Sequence, residues 1–397
     1  MRTNLSSLFA GAALLLGAHA AFAADTLRPE VGEPLQKAST LLKAKQYKQA
    51  MEQVDAAAHV GNLTPYENSV IAQMRGAIAA SSGDTSSLIQ NYEARLPSMS
   101  PADKVKAYGE LVSLSYRGKN YAKAADYLDK YRAAGGNSPQ VLELGAQIKY
   151  EAGDLAGLNA QIAQIEKSGQ RPSENQLLMV EALANKKSDT ATYVNTLEKL
   201  VTYYPKDAYW QDLLNRASNK PGFSDRLTLD VYRLKKLTGT MTKTADYMEA
   251  TQLALQAGSP GEADQYLKQG YDKKLLGQGN DAERHKRLKD LVDKKVAEAR
   301  AGMAAADKAA AADENGDALV AAGLTHVGFG DFGPGLALIQ QGIAKGNLKK
   351  PDEARLHLGY AQLLAGKKDD AARTLKGVQD KDGSADLARL YQLTIRR

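Results

Sequence analysis

One segment of the chain carries the glycine pattern of a dinucleotide-binding loop. Gly328, Gly330 and Gly333 spell GxGxxG, a pattern that binds pyrophosphate when a strand precedes it and a helix opens after it. Residues 317–327 fit the first helix of a helical hairpin rather than a strand. We therefore interpret the glycines as a tight turn between two helices.

A second segment resembles the opening of a calcium-binding loop. Asp313, Asn315 and Asp317 alternate as the first ligands of such a loop do. However, Gly316 comes fourth where the loop needs glycine sixth, and Leu324 stands at position 12 where the loop needs Glu. We interpret this segment as the end of one helix and the cap of the next.

The histidines do not form a local metal or catalytic motif. Downstream of residue 23 the sequence has His59, His285, His326 and His357, and no two of them lie within one helical turn. The sequence contains no cysteine, which removes thiolate ligands and cysteine nucleophiles. We predict a protein that is not an enzyme, with no catalytic residue, no metal site and no cofactor.

A repeated spacing predicts the elements that hold these residues. A turn residue is followed five positions later by Ala at Ala50, Ala124, Ala263 and Ala371. Weaker copies place Leu88, Leu158, Thr192 and Gly335 at the same point, which gives steps of 34 to 38 residues and two steps of twice that length. Such a period is typical of stacked helical hairpins, and each double step should hide one decayed repeat. The expected fold is an all-α, right-handed α-solenoid that can divide into two sub-arrays.

The best copy resembles the tetratricopeptide repeat. Counting from Asp352, the small residue is Gly359 at position 8, Ala371 follows at position 20, and Leu375 and Val378 are the apolar residues after it. The resemblance implies a concave groove lined by positions 2, 5, 9 and 12 of each first helix. The groove candidates are Lys106, Ser113, Tyr116, Gln140, Glu143, Gln147, Tyr150, Glu353, Leu356, Tyr360 and Leu363.

Three further strings resemble a family of exported proteobacterial repeat proteins. They cover residues 203–210, 220–227 and 282–288. Members of that family are often encoded beside the TonB–ExbB–ExbD energy-transducing system. The resemblance implies an accessory role near such a complex.

The two ends of the chain and the breaks in the repeat predict the domain organisation. Residues 1–23 read as a signal peptide cleaved after Ala23, which predicts a periplasmic protein. An N-terminal array follows over 24–205, a diverged helical connector over 206–240, and a C-terminal array over 241–397. Within that last array we expect a long helix at 281–312 and a solvating, capping helix at 385–396.

Charge excludes one class of partner. The formal net charge is +6, from 52 Lys and Arg against 46 Asp and Glu. Because the two signs alternate along the predicted helices and no basic tail is present, we do not expect nucleic acid binding. Peripheral membrane or peptidoglycan association stays open.

The sequence leaves three functions open. The first is a periplasmic adaptor whose groove holds an envelope protein or peptide segment. The second is a structural spacer associated with the envelope or peptidoglycan, assembled through the array ends or the 281–312 helix. The third is a small-ligand or carbohydrate site in the groove.

Overall fold

The computed structural model describes residues 26–395, and over this range the protein consists of α-helices, three short 3-10 helices and connecting turns, without β-strands. The predicted signal peptide and residue 396 lie outside the described residues. The chain divides between Asp154 and Leu155 into two compact units. The all-α hairpin fold expected from the repeat is confirmed.

The first unit contains seven helices among the described residues. They are Pro29–Lys43 (α1), Tyr47–Ala58 (α2), Pro65–Ser82 (α3), Thr85–Arg95 (α4), Pro101–Arg117 (α5), Tyr121–Ala133 (α6) and Pro139–Glu151 (α7). Helices α1 and α2, α3 and α4, and α5 and α6 pack as consecutive hairpins, and α5 also packs against α7.

The second unit contains the remaining helices of the described chain. They are Leu155–Lys167 (α8), Glu174–Lys186 (α9), Thr190–Tyr203 (α10), Asp207–Ser218 (α11), Thr228–Thr238 (α12), Thr244–Gln256 (α13), Pro260–Asp272 (α14), Ala282–Ala312 (α15), Asp317–Phe329 (α16), Phe332–Lys345 (α17), Pro351–Leu364 (α18), Lys368–Lys376 (α19) and Ser384–Ile395 (α20).

The repeat seen in the sequence sets where the helices begin. Helices α1, α3, α5, α7, α9, α11, α13, α15, α16, α18 and α20 begin at residues 29, 65, 101, 139, 174, 207, 244, 282, 317, 351 and 384. Consecutive starts are therefore 33 to 38 residues apart. The first double step contains the hairpin of α11 and α12. The second contains α15, a single helix of 31 residues that fills one repeat without a turn.

Local chemistry explains both ends of these helices. Pro29, Pro65, Pro101 and Pro139 each occupy the first position of a first helix, where their fixed φ suits the helix and their missing N–H would have no partner. At the other end, the hairpin turns use one residue with positive φ, such as Gly83. Such a residue closes the last helical turn and reverses the chain.

The turn of the fifth hairpin shifts one sequence assignment. Ser188 has the positive φ there, so the residue five positions later is Tyr193, not Thr192. Tyr193 is buried and its hydroxyl donates to Asp212 at 2.6 Å. The sequence count therefore missed the register of this repeat by one residue.

Glycines set the closest helix pair in the second unit. A side chain on Gly316 would meet the carbonyl oxygen of Gly342 at 1.9 Å, and one on Gly323 would meet that of Gly335 at 2.6 Å. These pairs face each other across the antiparallel helices α16 and α17. Gly335 therefore serves where other repeats use Ala, since the two backbones nearly touch.

The GxGxxG segment lies in the same hairpin. Gly330 ends α16 with a φ of 86°, as the turn interpretation expects. Gly328 lies two residues earlier, inside α16, where a side chain would meet the Ser259 hydroxyl at 2.7 Å. One glycine thus reverses the chain and the other lets α16 approach α14.

Tyrosines join neighbouring repeats. Tyr127 donates to Glu93, and Lys123 pairs with the same carboxylate at 3.0 Å, so α6 is tied to α4 of the preceding hairpin. The same grouping recurs as Lys199, Tyr203 and Glu166, and as Lys206, Tyr209 and Glu174. Burial and the bond to Glu93 raise the pKa of Tyr127. This use explains part of the surplus of 19 Tyr over 5 Phe.

The last helix returns to an earlier part of its own unit. Helix α20 packs against α18 and α19 and also against α12 and α10. Leu387 and Tyr391 are fully buried in these contacts. The helix expected to solvate the end of the array instead closes the second unit on itself. The segment 206–240, expected to be a connector between sub-arrays, supplies α11 and α12 and lies inside this unit.

Candidate functional site

The three groove candidates on α5 differ in how exposed their side chains are. Lys106 is exposed, with 81% of its side chain accessible, 3.9 Å from Asp103. Ser113 is half-buried and its hydroxyl donates to the Gly109 carbonyl at 3.1 Å. Tyr116 is half-buried, and its ring centroid lies 5.8 Å from that of Tyr121. This helix therefore presents one charged, one polar and one aromatic group.

The groove candidates on α7 continue that surface. Gln140 is exposed and accepts a hydrogen bond from the Ser138 hydroxyl at 2.8 Å. Glu143 is exposed, Gln147 is half-buried, and Tyr150 is 36% exposed. Since α5 packs directly against α7, the structure brings these two sets onto neighbouring helices of the first unit.

Tyr116, at the carboxyl end of α5, and Tyr121, at the start of α6, both lie near the carboxylate of Glu151. Burial raises the pKa of Tyr116, and the charge of Glu151 raises it further. The same two causes raise the pKa of Tyr121. The two phenols thus stay protonated and able to donate hydrogen bonds at neutral pH. We call Lys106, Ser113, Tyr116, Gln140, Glu143, Gln147 and Tyr150 the α5–α7 face.

The third set of groove candidates has a different environment. Leu356 is fully buried and Tyr360 is 3% exposed. Glu353 forms an ion pair with Arg226 at 2.5 Å, and Leu363 is half-buried. Helix α18 contacts α20, which covers positions that an open array would leave accessible. Leu356 and Tyr360 are therefore core residues of the second unit rather than an accessible groove.

Below Tyr360 lies a charged network that sequence reasoning missed. The Arg233 guanidinium donates through Nε and Nη2 to both oxygens of Glu262, at 2.9 and 2.8 Å. Its Nη1 donates to Asp230 Oδ1 at 2.9 Å. All three side chains are at most 5% exposed. The centre of the Tyr360 ring is 4.9 Å from the guanidinium carbon, so cation–π attraction adds to the two ion pairs.

Residues from other helices complete the network. His357 Nε2 lies 3.1 Å from Asp230 Oδ2, and the Tyr391 hydroxyl donates to the Asp230 carbonyl at 3.3 Å. The Tyr266 hydroxyl donates to Glu262 at 3.1 Å. Burial opposes ionisation of Asp230, but the charges of His357 and Arg233 outweigh it and lower its pKa to about 2. The network joins α12, α14, α18 and α20.

This network is a buried structural network, and its charged side chains are inaccessible to a ligand from solvent. The Arg233 guanidinium donates to both carboxylates, and the Tyr266 and Tyr391 hydroxyls donate within the network, so its buried charges have the hydrogen-bond partners that burial requires. The network is centred on α12, where residues 229–234 are all buried. A helix buried on every side lies at the centre of a packed body.

The other histidines have structural partners. His326 Nε2 lies 3.0 Å from Asp307 and links α16 to α15. His285 accepts a hydrogen bond from the Gly277 amide at 3.1 Å. Within residues 26–395, no group of three His, Asp or Glu side chains has the geometry of a metal site. In the same range, the helices are too short or too polar to span a bilayer.

Comparison with solved structures gives a distant likeness in fold. No family model and no curated protein matches the chain. Among solved structures, the chain is similar to the crystal structure of yeast Tom70, with 13% sequence identity and a TM-score of 0.25. The match covers 92% of this chain and 94% of that chain. The fold assignment rests on the hairpin pairing of the chain itself.

Proposed function

We propose that the protein is a non-enzymatic scaffold that binds a protein or peptide segment on the α5–α7 face. The observation that carries this proposal is the contrast in exposure between equivalent positions of two helices. On α7 Glu143 is exposed and Gln147 is half-buried, whereas Leu356 and Tyr360 at the same positions of α18 are buried. Tyr, Gln and Ser side chains offer flat apolar area together with hydrogen bonds, a combination common at protein contacts.

The charge of the face favours a partner held by shape and hydrogen bonds. Lys106 and Glu143 offset each other, and Ser113, Gln140 and Gln147 are neutral. An extended or helical segment with few charges fits such a surface better than a strongly acidic or basic one does.

The location and the partner system rest on the sequence. Residues 1–23 support export to the periplasm. The strings at 203–210, 220–227 and 282–288 support an accessory role near a TonB-type complex. We propose this complex as the place to seek the partner.

The test is site-specific photocrosslinking in cells from Tyr150, with Leu291 as the control position. Leu291 is 45% exposed on α15 of the second unit, so it samples the same compartment from another surface. We expect one envelope protein to crosslink in high yield from position 150 and not from position 291.

The matched variant is Gln147→Ala with Tyr150→Ala. We expect binding of that envelope protein to weaken by about 30-fold, as loss of an interface anchor does, with the melting temperature unchanged because both side chains are accessible. Unchanged binding would exclude the α5–α7 face. Sedimentation with purified peptidoglycan, without a protein crosslink, would support the structural spacer instead.

A further inference from the structure

The return of α20 leaves a cleft in the second unit. The cleft has a volume of about 670 Å³ and lies between α10, α11 and α20. Such a volume falls within the range of small-molecule sites, roughly 300 to 1,000 Å³. It is distinct from the α5–α7 face, which belongs to the first unit.

The interior of the cleft is aliphatic. Val194 of α10, Leu213 and Ala217 of α11, and Leu390 of α20 line it, and Leu213 and Leu390 are each 2% exposed. Its lining exposes more apolar than polar surface. Branched and short aliphatic side chains at these positions suit a flexible hydrocarbon chain, which is stabilised by leaving water.

Cationic side chains accompany this apolar lining. Arg216, Lys220 and Arg389 line the cleft, against Asp386 as the one carboxylate of the lining. Lys220 pairs with Asp386 at 2.8 Å. Asp212 and Glu198 pair with Arg216 and Arg389 and balance their charge, and Arg389 Nη2 also lies 3.7 Å from Asp386. Recognition of an anionic ligand group therefore rests on the guanidinium N–H donors at the cleft and not on an excess of charge.

Neighbouring acids hold the two arginines in place. Arg216 Nε donates to Asp212 at 2.9 Å, and the guanidinium lies 3.7 Å from the centre of the Tyr193 ring. Arg389 Nε pairs with Glu198 at 2.9 Å. A guanidinium has five N–H donors in a fixed fork. An ion pair through Nε orients that fork while leaving donors for a second anion.

We propose that this cleft binds a single-chain anionic amphiphile, with its hydrocarbon chain among Val194, Leu213 and Leu390 and its anionic head at Arg216 and Arg389. A carboxylate or a phosphate head has the required chemistry. The site does not depend on the scaffold function, because no residue of the α5–α7 face takes part.

The first test is a titration of the full-length protein with sodium dodecanoate below its micelle concentration. Trp210 is the single tryptophan, is buried, and lies on α11 one helical turn before Leu213 of the cleft lining. Its fluorescence is therefore a second readout of binding beside calorimetry. We expect saturable binding of one dodecanoate per chain. Dodecyl phosphate should bind at the same site. Comparing its affinity with that of dodecanoate shows whether the site prefers a phosphate or a carboxylate head. Dodecyltrimethylammonium should bind at least about tenfold more weakly. Lack of saturable dodecanoate binding, or equal binding of the cation, would overturn the proposal.

Variants then locate the site. Ala217→Phe and, separately, Val194→Phe should fill the cleft and abolish dodecanoate binding, and circular dichroism identifies whichever variant keeps its fold. Arg389→Gln should weaken binding about tenfold. The control is Arg373→Gln, since Arg373 is an exposed arginine of α19 paired with Asp370, and it should bind like the wild type. Equal effects of the two arginine variants, or full binding by folded cleft-filling variants, would refute this site.

Discussion

Helices α7 and α18 hold the same place in their repeats and have opposite surroundings. Glu143 of α7 is exposed and Gln147 is half-buried, whereas Leu356 and Tyr360, at the same two repeat positions of α18, are buried. The repeat pattern assigns these positions identically, because it describes a helix and its immediate neighbours. The difference teaches that the function of a repeat position depends on whether a distant helix returns to cover it.

The largest effect on stability should come from removing the buried arginine at the centre of the second unit. Arg233→Ala leaves Asp230 and Glu262 buried without their cation, and we expect it to lower the free energy of unfolding by about 3–5 kcal/mol. Urea unfolding followed by Trp210 fluorescence measures the free energy of unfolding of the second unit.

The matched change in the first unit is Arg75→Ala. Arg75 pairs with Asp55 at 2.5 Å, but the two side chains are 40% and 49% exposed. We expect this change to alter the free energy of unfolding by less than about 1 kcal/mol, measured by circular dichroism. Similar losses for the two variants would show that the interior network contributes no more than a surface pair.

A smaller effect should appear with pH. Because the pKa of Asp230 falls from 3.8 to about 2 on folding, the folded protein holds this carboxylate ionised where the unfolded chain begins to protonate it. The Asp230 carboxylate therefore adds about 2 kcal/mol to the free energy of unfolding. This contribution is complete above about pH 4 and is lost as the pH falls towards 2.

Asp230→Asn isolates this contribution from those of other carboxylates. The gap in free energy of unfolding between the wild type and Asp230→Asn should be widest at pH 6 and should narrow by about 2 kcal/mol by pH 2. A gap that stays constant over this range would mean that Asp230 titrates normally in the folded protein.

The smallest effect concerns the turns, where the two units also differ. Lys119 in the first unit adopts a φ of 57°, and Gly366 holds the equivalent turn in the second unit at 74°. Positive φ strains a residue that has a side chain. We expect Lys119→Gly to stabilise the protein by about 0.5–1 kcal/mol and Gly366→Ala to destabilise it by about 1 kcal/mol, measured by thermal unfolding. Destabilisation by Lys119→Gly would show that the lysine side chain supports this turn.

The hairpins could be predicted because their determinants are local. The turn residue, the Ala five positions later and the glycine at position 8 all act within one repeat. For example, a side chain on Gly359 would lie 2.5 Å from Leu375, as the repeat pattern implied. The first-helix prolines at 29, 65, 101 and 139 carried the same period and would have strengthened the prediction.

The interior of the second unit could not be predicted in the same way. His357 meets Asp230 across 127 residues, and the Tyr391 hydroxyl meets its carbonyl across 161. These contacts arise from small rotations summed over several repeats, which no local pattern encodes. The packing of α20 against α10, α12 and α18 also produces the burial of Tyr360 and the cleft beside α20. Neither feature could therefore be predicted from the repeat pattern.

The length of helix α15 sets the position and the facing of the residues in its second half. Between Val292 and Ala310 none of its residues is buried. Its second half is held by Asp307 against His326, by Arg300 over the Phe329 ring, and by the Ala311 carbonyl, which accepts a hydrogen bond from Lys345. Each added residue would turn the far end of the helix by about 100° and advance it by 1.5 Å. One inserted alanine should therefore carry Asp307 away from His326, whereas seven would bring it back almost in phase, about 10 Å further along. An insertion of about two turns therefore keeps the direction in which Asp307 faces, which a single-residue insertion does not.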